Sequence, residues 1–406
     1  MEKMLPLAGI RVIELGELIA GPFIGTLLAE FGAEVIKVER PGQGDIMRQF
    51  GPIANGESVF WVGNARNKKS VVLDLKQEAG QAVLRDLLAK GDVLVNSLRP
   101  GTLEGWGMTD SHLRSLYPQL VVVYMSAYGR GGPYSGAGGY DPIAQGYSGL
   151  SHATGEADGA PMRAGGAIPV CDFMAGMLGA LGAVLSLYAQ KVHRGEQGQV
   201  VDIGLYDAAF RMIGPLLTNY DLTGEVWKRN GNRSLSGAPT GHFETSDGLW
   251  VCTSVHSDQH FRKLAVLIGR PDWTSDERFA SLKLRTQWRD EIERYVAAWI
   301  GERSREDVIA AFNHLGLTIG PINSVADLST DEHLERRGSV LHAHPVLGTI
   351  RVPDVVPRLE GTPGTIRHAA PRLGAHTREV LSGLLSYSET RFKQLVADRV
   401  VYSADG

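Results

Sequence analysis

The first 126 residues alternate between short apolar runs of strand length and longer segments of helical periodicity. The stretch "GIRVIELGELIAGPFIGTLLAEFGAEVIKVERP" predicts a strand at 11–15, a helix at 23–31 that ends at Gly32, and a strand at 34–39. Further strands are predicted at 70–75, 92–96 and 120–126, and further helices at 78–90 and 110–116. This order predicts an α/β fold with a mostly parallel, doubly wound, Rossmann-like sheet.

The pattern changes in the second half of the chain. After the glycine-rich loop at 129–141 and an apolar helix that follows Asp172, the turn "HRGEQGQ" at 193–199 leads into a strand at 200–205 and a helix near Tyr206. From about Gly231, "GHFETSDGLWVCTSV" predicts a hairpin that turns at Asp247 and Gly248, and amphipathic segments follow it. These segments predict helices at 258–268, 287–300 and 304–314.

A chain of 406 residues is longer than one hydrophobic core usually organises, so at least two domains are expected. We predict a large domain at 1–224 and a smaller α+β domain at 225–325. A C-terminal segment at 326–406 contains strand-like alternation in "HPVLGTIRVPDVVPRL" and a helix at the end of "PRLGAHTREVLSGLL", and we expect it to return to the large domain.

Charge and cysteine content narrow the possible functions. The chain carries 41 basic and 45 acidic residues, a net charge of -4, which leaves no basic footprint for nucleic acid and favours a small-molecule partner. Cys171 and Cys252 form no metal motif or disulfide framework, and the N-terminus is not typical of a signal peptide, so we expect a cytoplasmic protein without a bound metal. The uncharged segment 173–189 is short for a membrane span and predicts a buried core helix.

The loop "GELIAGP" occupies the position of a dinucleotide fingerprint, but it lacks the G-x-G-x-x-G spacing, and Pro22 has no N–H for a phosphate. A nicotinamide enzyme is therefore disfavoured. Arg40 directly follows the second predicted strand, and Lys76 and Arg99 lie near the ends of two others. Since ligands of open α/β sheets bind at the carboxyl ends of strands, these three cations indicate a phosphorylated, nucleotide-like ligand, although an ordinary surface arginine explains Arg40 equally well.

Asp172 is the one acid in an otherwise uncharged stretch from Gly165 to Ala189. Capping of the helix that follows would by itself explain an aspartate there. The second explanation is catalytic and compatible with the first, because a carboxylate held ionised at a helix N-terminus is a nucleophile that needs no general base. Cys171 is a rival nucleophile, but a small buried thiol explains it better.

Other candidates have simpler explanations. Asp202 lies in a predicted strand and Asp207 opens a helix, so ladder and cap roles suffice for them. His152 lies in a loop with no acid near it in sequence.

Several long motifs in fixed order resemble the class III CoA-transferases, the group of formyl-CoA transferase and carnitine CoA-transferase. The resemblance runs nearly end to end, and its motifs are "LAGIRVIEL", "LAEFGAEVIKVERPGQGD", "NKKSVVLDLK", "LRPGTLEGWGM", "SAYGRGGPYSGAGGYDPIAQGYSGL", "CDFMAGMLGALGAVLSLYAQKVHRGEQGQVVDIGLYDA" and "PRLGAHTREVL". It implies that Asp172 attacks a donor acyl-CoA and carries CoA as an aspartyl thioester. It also implies coenzyme A and acyl-CoA as substrates, with no tightly bound cofactor.

Positions that match the family's CoA contacts can be carried over residue by residue. The resemblance implies that Tyr140 and Asp141 line the active site. Ser97 and Gly105 stand where many relatives have Asn and Arg, which puts phosphate binding there in doubt, and "GNRSLSGAPTGHFET" lacks the tetraglycine loop of formyl-CoA transferases, so a formyl or oxalate specificity is not expected. The implied CoA contacts are Ile19, Ala20, Arg40, Leu73 to Lys76, Ser97, Leu98, Arg99 and Arg130.

The resemblance further implies an interlocked homodimer, although a heteromer of which this chain is the active subunit stays open. An α-methylacyl-CoA racemase is the alternative activity, but Tyr140 stands where those isomerases have their histidine base. Arg48 and Arg163 could each pair with a second substrate carboxylate, which would suit succinyl-CoA as donor, or could simply be solvated arginines.

Overall fold

The structure is a computed structural model that describes residues 4–193, 197–234 and 236–404. Residues 194–196 of the turn predicted at 193–199 lie outside the described residues. The chain divides into two compact units: one comprises Met1–Ser151, Arg163–Val226 and Arg337–Gly406, and the other comprises His152–Met162 and Trp227–Arg336. The predicted domain limits of 224/225 and 325/326 stay a prediction, and the second unit differs from the predicted small domain by including 152–162 and by extending to 336.

The strands of the described residues follow the predicted positions closely in the first half of the chain. Their bounds are β1 Arg11–Leu15, β2 Glu34–Glu39, β3 Ile53–Ala54, β4 Glu57–Ser58, β5 Lys68–Leu73, β6 Val93–Asn96, β7 Val121–Ser126, β8 Val200–Gly204, β9 Thr240–Glu244, β10 Trp250–Ser254, β11 Ile319–Pro321, β12 Ser339–His344, β13 Gly348–Pro353 and β14 Val401–Tyr402.

The helices of the described residues alternate with these strands. Their bounds are α1 Ala20–Glu30, α2 Val59–Asn64, α3 Glu78–Leu88, α4 Thr102–Gly105, α5 Asp110–Leu116, α6 Asp141–Tyr147, α7 Leu150–Ala153, α8 Val170–Val192, α9 Leu205–Met212, α10 Gly214–Thr223, α11 Asp258–Leu267, α12 Leu282–Gln287, α13 Arg289–Gly301, α14 Arg305–His314, α15 Val325–Ser329, α16 Glu332–Arg337 and α17 Glu389–Ala397. Short 3-10 turns lie at Ile46–Gln49, Pro271–Thr274 and Glu277–Phe279, and a π-helical turn lies at Glu379–Leu384.

The first unit is built on one sheet with the strand order β14-β5-β2-β1-β6-β7-β8. All pairs are parallel except β14, which pairs antiparallel with β5. The chain starts at β1 in the middle, adds β2 and β5 on one side, and then returns to add β6, β7 and β8 on the other. This reversal leaves a crevice at the carboxyl ends of β1 and β6, where α/β sheets bind their ligands.

Alternate residues of the central strands face opposite layers of helices, as the period of two in a strand requires. Ile13, Leu15 and Ile36 are buried in one apolar layer, and Val12 and Val35 are buried in the other. The first layer includes residues of α3, α5 and α17, and the second includes residues of α1, α8 and α9. The predicted α/β fold with a doubly wound parallel sheet is therefore confirmed.

Helix α8 differs from the buried core helix predicted for its sequence. Its face of small residues, including Cys171, Ala175 and Gly179, is buried, whereas Leu181 and Leu185 on the opposite side are 52% and 56% exposed. The prediction of a buried core helix was therefore wrong for half of its circumference. Among the described residues, α8 is also the one helix with the length and apolar composition of a membrane span, with 39% of its most apolar window buried.

The second unit has its own apolar core. The predicted hairpin is present as β9 and β10, and β11 pairs on the free side of β10. Helices α11, α13 and α14 contribute Phe261, Ile292 and Phe312 to one buried cluster with Trp273. The side chain of Arg229 donates to the carbonyl oxygens of residues 152 and 159, which ties the 152–162 segment to this unit.

Candidate active site

The carboxyl ends of β1, β2, β5 and β6 surround a cavity of about 390 Å³ in the first unit. Its position at the crevice beside β1 is the one that parallel α/β sheets use for ligands. The residues that line it are Leu15, Gly16, Glu17, Val38, Glu39, Arg40, Pro41, Asp45, Leu73, Asp74, Leu75, Lys76, Leu98 and Trp106.

Six of the implied CoA contacts line this one cavity: Arg40, Leu73, Asp74, Leu75, Lys76 and Leu98. Arg40 donates from Nε to the carbonyl oxygen of Gly44 and lies 3.3 Å from the carboxylate of Glu17. The wall thus carries two cations, Arg40 and Lys76, together with apolar side chains. It also carries four carboxylates, those of Glu17, Glu39, Asp45 and Asp74.

Glu17 and Trp106 are among the lining residues that sequence reasoning did not predict. Glu17 was hidden in the loop that was examined for a phosphate fingerprint, and Trp106 lies inside the quoted motif "LRPGTLEGWGM". An aromatic residue just after the basic end of a predicted strand was the available signal for Trp106.

The other implied contacts near β1 and β6 surround the cavity without lining it. Ile19 and Ala20 are buried at the start of α1. Ser97 follows β6, and its Oγ is buried without a hydrogen bond to any described residue. It lies so close to the backbone of Gly16 that a Cβ there would meet the Oγ at 1.9 Å. Arg99 is exposed and is not among the described residues that line the cavity.

Arg130 lies beyond β7, apart from the lining of the cavity. Its Nη1 pairs with Asp110 at 2.8 Å, and its guanidinium lies over the ring of Tyr124 at 4.0 Å from the centroid. Its backbone N–H donates to Asp202, which gives that aspartate a structural partner. The predicted cap at Asp207 is also present, since its Oδ2 accepts from the N–H of Gly204.

Asp172 is not the cap of α8, so that prediction was wrong. The helix begins at Val170, which places Asp172 in its first turn, partly buried. The side chain forms no hydrogen bond or ion pair with any other described residue. Its carboxylate therefore supports no other described part of the fold through a hydrogen bond or ion pair, and it remains partly accessible. The reason for the error is that Pro169 stands at the N-cap and a carboxylate from another helix accepts from this end of α8.

Asp141 is that second carboxylate. It is 2% exposed, and its Oδ1 accepts from the backbone N–H of Cys171 at 2.8 Å. Its Oδ2 accepts from Gln145 at 2.8 Å and from Arg163 at 2.9 Å. Asp141 therefore fixes the first turn of α8, on which Asp172 is carried. Its neighbour Tyr140 is 64% exposed.

Burial, together with the nearby charge of Asp141, raises the pKa of Asp172 to about 7. Burial and the charge of Asp141 therefore both oppose the ionised form that we expected for a carboxylate at a helix N-terminus. Burial, with the charges of the same two aspartates, also raises the pKa of the Cys171 thiol to about 12. Cys171 is thus a neutral thiol at pH 7 and a poor nucleophile.

Neither arginine considered for a second substrate carboxylate is a free cation. Arg48 pairs with the buried Glu39 at 2.8 Å and stacks over Trp61. Arg163 pairs with Asp141 at 2.9 Å. Both are bound to carboxylates of the protein, so they are not simply solvated either. Among the described residues, no three His, Cys, Asp or Glu side chains are grouped as metal ligands.

The cavity lies at the crevice of a parallel sheet, the place where α/β proteins bind nucleotide-like ligands, and two cations, Arg40 and Lys76, stand in its wall. The helix that carries the free Asp172 packs on α1, whose first residue follows the loop from that cavity: a Cβ at Gly176 would lie 3.0 Å from the carbonyl oxygen of Ala20. Asp172 is not among the described residues that line the cavity, but its helix packs against the helix that follows the loop from the cavity.

Comparison with known proteins gives the family. The model of CoA-transferase family III matches residues 7–377. The alpha subunit of succinyl-CoA–L-malate CoA-transferase from Chloroflexus aurantiacus is 38% identical over 404 residues, covering 98% of this chain and 94% of that protein. Succinyl-CoA:glutarate CoA-transferase from Mus musculus is 32% identical over 402 residues, covering 98% and 91%.

A solved structure agrees with these relatives. The crystal structure of a CaiB/BaiF family protein from Brucella suis matches with a TM-score of 0.83 and 29% identity, covering 94% of this chain and 100% of that one. The chain therefore belongs to CoA-transferase family III, as its motifs indicated. It is a CoA-transferase, and CoA thioesters are its substrates.

Proposed function

We propose that this enzyme moves CoA from succinyl-CoA to a carboxylic acid acceptor through an aspartyl-CoA thioester on Asp172. One observation carries the proposal: Asp172 is a partly accessible carboxylate with no hydrogen bond or ion pair to other described residues. Asp141, nearby on α6, has three such hydrogen bonds and is 2% exposed. A carboxylate without a structural partner is available for covalent chemistry.

The reaction needs four acyl transfers, and each one conserves the activated acyl group. Asp172 attacks the thioester carbonyl of the donor, which forms a mixed anhydride and releases the CoA thiolate. The thiolate then attacks the aspartyl carbonyl, which leaves the aspartyl-CoA thioester and releases the donor acid. The acceptor carboxylate and the released thiolate repeat these two steps in reverse, and Asp172 returns unchanged. No proton, metal or external energy source enters the balance.

The cavity supports the proposal on the side of CoA. Arg40 and Lys76 offer the cations that CoA phosphates require, and Leu73 and Leu98 offer apolar contacts for the pantetheine arm. The implied contacts at Ile19, Ala20, Ser97, Arg99 and Arg130 stay predictions. Ser97 adds a buried hydroxyl without a partner among the described residues, beside Gly16 and Gly21.

The names of two relatives support a succinyl donor and a dicarboxylic acceptor. One is a succinyl-CoA–L-malate and the other a succinyl-CoA:glutarate CoA-transferase. Arg48 and Arg163 are each paired with a carboxylate of the protein. Neither is therefore free in this structure to bind the second carboxylate of a substrate. We therefore rest the acceptor class on the relatives alone.

Trapping with hydroxylamine tests the mechanism. The protein is incubated with succinyl-CoA and then with hydroxylamine, which cleaves an aspartyl-CoA thioester and leaves a hydroxamate, and peptide mass spectrometry locates the modification. We expect the hydroxamate on Asp172 in the wild type and none in Asp172→Ala, with Asp398→Asn, an exposed carboxylate on the surface, as the matched control.

Deuterium exchange with a 2-methylacyl-CoA tests the isomerase alternative on the same wild-type protein. A wild type without adduct that washes deuterium into the α-position of a 2-methylacyl-CoA would overturn the transferase mechanism and favour proton exchange instead.

We also propose that a second protein chain covers the exposed side of α8, in a homodimer that is interlocked or in a heteromer. Met177, Leu181, Leu185 and Tyr188 form an apolar face on which none is less than 50% exposed. Helix α10, the next helix but one, has no buried residue at all. The name "alpha subunit" of one relative supports the heteromer as an alternative to the homodimer.

We also propose that the protein is located in the cytoplasm. The support for this location is the absence of a disulfide between the two free cysteines, Cys171 and Cys252. Fractionation of the native cells tests it, and recovery of the activity in the membrane fraction would contradict it.

A further inference from the structure

Four charged side chains form a buried cluster beneath the first crossover of the sheet, next to the separate buried pair of Glu39 and Arg48. Glu14, Lys37, Asp45 and Lys68 all have side chains that are 0% exposed. Lys37 Nζ lies 3.0 Å from Glu14 Oε1 and 2.7 Å from Asp45 Oδ2, and Lys68 Nζ lies 2.9 Å from Glu14 Oε2. The two positive and two negative charges balance. We call these four residues the buried charge cluster.

Three members of the cluster also hold the backbone of the segment from Gly16 to Pro22, here called loop 16–22. Lys37 donates to the carbonyl oxygen of Gly16 at 3.0 Å, and Lys68 donates to that of Pro22 at 2.6 Å. Between these two ends, Asp45 Oδ1 accepts from the N–H of Leu18 at 3.0 Å. The bonds of Lys37 and Asp45 each combine an ionised side chain with a backbone group, which makes them stronger than bonds between neutral groups. Burial lowers the pKa of Lys68, the third of these residues.

Loop 16–22 connects the cavity to the helix of Asp172. Gly16 lines the cavity, and the loop ends in the first turn of α1, where the carbonyl oxygen of Ala20 faces Gly176, one turn along α8 from Asp172. Leu18 adopts a left-handed conformation with φ of 68°, which a leucine rarely takes without support. Asp45 supplies that support through the N–H of Leu18 itself.

We propose that the buried charge cluster is a positioning device that fixes loop 16–22 in its ligand-binding conformation before acyl-CoA arrives. The inference rests on the proposed function, because it assumes that acyl-CoA binds in the cavity that this loop helps to form. Glu14, Lys37, Asp45 and Lys68 are then positioning residues, since they act on the ligand through the backbone of the loop.

Stability alone does not explain four buried charges. A buried ion pair gains little or nothing over apolar side chains of the same volume, because desolvation offsets the attraction between the charges. Apolar side chains could not, however, hold two carbonyl oxygens and one N–H of a loop. The chain also accommodates the cluster at a glycine inside α1: a Cβ at Gly25 would meet Glu14 Oε2 at 1.9 Å.

The ionisation of the cluster agrees with this role. Burial alone would lower the pKa of Lys37, but the adjacent carboxylates of Asp45 and Glu14 outweigh burial and raise it. Burial likewise opposes the charge of Asp45, and the charge of Lys37 together with the hydrogen bonds to its carboxylate lowers the pKa of Asp45. Lys37 and Asp45 therefore stay ionised at neutral pH and keep their hydrogen bonds to loop 16–22.

The test compares Lys37→Met with Arg66→Met. Arg66 is a matched control, because it too is buried, pairs with a buried glutamate (Glu30) and donates to a backbone carbonyl, but it does not touch loop 16–22. Isothermal titration calorimetry gives the Kd for CoA, and steady-state kinetics gives KM for succinyl-CoA and kcat, at a temperature where both variants are folded.

We expect Lys37→Met to raise Kd and KM about tenfold, because ligand binding must then also order about one residue of the loop. The value of kcat should change by less than about threefold. Arg66→Met should keep Kd within about threefold of the wild type at a similar loss of thermal stability. Equal effects of the two variants on Kd, or an unchanged Kd in Lys37→Met, overturn the inference.

A second variant keeps the test decisive if Lys37→Met does not fold. Gly25→Ala retains every charge but forces Glu14 to move, and Gly63→Ala in α2, where a Cβ would meet nothing within 4 Å, is its control. A weaker Kd for CoA in Gly25→Ala alone supports the inference, and equal Kd values in both reject it. If the wild type itself binds no CoA and forms no hydroxamate, the proposed function fails; if it does both and the variants match it, the inference alone fails.

Discussion

At the scale of single residues, Asp141 and Asp172 differ in their hydrogen bonds, and this difference gives the two carboxylates different roles. Asp141 accepts from a backbone N–H, an amide and a guanidinium, so its position is fixed. Asp172 has no such partner among the described residues, and burial raises its pKa to about 7. One carboxylate holds the helix, and the other is left with its charge poorly solvated and its oxygen atoms available.

The raised pKa of Asp172 predicts a pH dependence of CoA transfer. The nucleophile must be ionised, so kcat/KM should rise with pH and level off above about 7, where the carboxylate has lost its proton. At pH 6 only roughly one tenth of the enzyme would be ionised. Asp141→Asn should move the midpoint to lower pH, because the charge of Asp141 contributes to the shift. An activity that is flat between pH 5.5 and 8 would contradict the assignment of the pKa.

The same shift predicts a stability difference in the variant Asp172→Asn. The folded-state pKa of Asp172 lies above its unfolded value, so the stabilising contribution of the protonated carboxyl is fully present below the unfolded pKa and is lost as pH rises through about 7. The asparagine variant should therefore be more stable than the wild type above pH 7, by roughly 1–3 kcal/mol, and equal to it near pH 3.

Denaturant unfolding at several pH values measures this difference. The exposed control Asp398→Asn should differ from the wild type by less than about 1 kcal/mol, because an exposed carboxylate contributes little to stability. A wild type that is the more stable of the two at pH 8 would show that the Asp172 carboxylate has favourable contacts after all.

At the scale of elements, the glycines of α8 permit its close packing against the sheet layer. A Cβ at Gly179 would lie 2.5 Å from Ile24 of α1, and one at Gly182 would lie 2.5 Å from Val201 of β8. We expect Gly179→Val to lower the free energy of unfolding by about 1–3 kcal/mol through overpacking.

Gly146 in α6 provides the control for this prediction, because a Cβ there meets nothing within 4 Å. Gly146→Val should change stability by less than about 1 kcal/mol, and in the stabilising direction, since valine has the higher helix propensity and its Cβ meets nothing there. Chemical denaturation measures both variants, and equal effects would mean that α1 can move away from α8 without penalty.

The elements that the sequence predicted best are those with a strong period. Strand 11–15 and strand 34–39 agree with β1 and β2 at both ends, because buried parallel strands are short apolar runs between turn signals. Helix α1 begins at Ala20 rather than at Phe23, since Pro22 is tolerated in a first turn, where its missing N–H breaks no hydrogen bond.

Contacts distant in sequence could not be predicted in this way. The two-residue strand β14 and helix α17 were missed, because β14 is recognisable only from its pairing with β5, more than 300 residues earlier. The carboxylate that accepts from the first turn of α8 comes from Asp141, 30 residues before Cys171, so the local sequence pointed to Asp172 instead. The buried charge cluster was likewise not predicted, because its members come from β1, β2, β5 and the segment after β2 and meet only in the folded chain.

At the scale of the whole molecule, the proposed covering of α8 predicts the oligomeric state. Wild-type protein should elute as a dimer or a larger assembly in size-exclusion chromatography with light scattering. The double variant Leu181→Glu, Leu185→Glu should be monomeric, because charges buried between chains are costly to desolvate, and it should lose most of its activity.

Leu116→Glu is the control for that experiment, since Leu116 in α5 is also 50% exposed but lies on another part of the surface. It should remain in the wild-type assembly. A wild type that is a fully active monomer would contradict the proposal, and a wild type recovered only with lipid would show that α8 faces a membrane instead of a protein chain.

The zero net charge of the buried charge cluster also has an evolutionary consequence. A mutation at Glu14 or Lys68 alone would leave an uncompensated charge in the core, whereas a paired replacement would keep neutrality. In an alignment of many relatives we therefore expect these positions to vary as complementary pairs, with Lys37 and Asp45 substituted together as well. Independent variation at each position would mean that the loop has other ways to keep its shape.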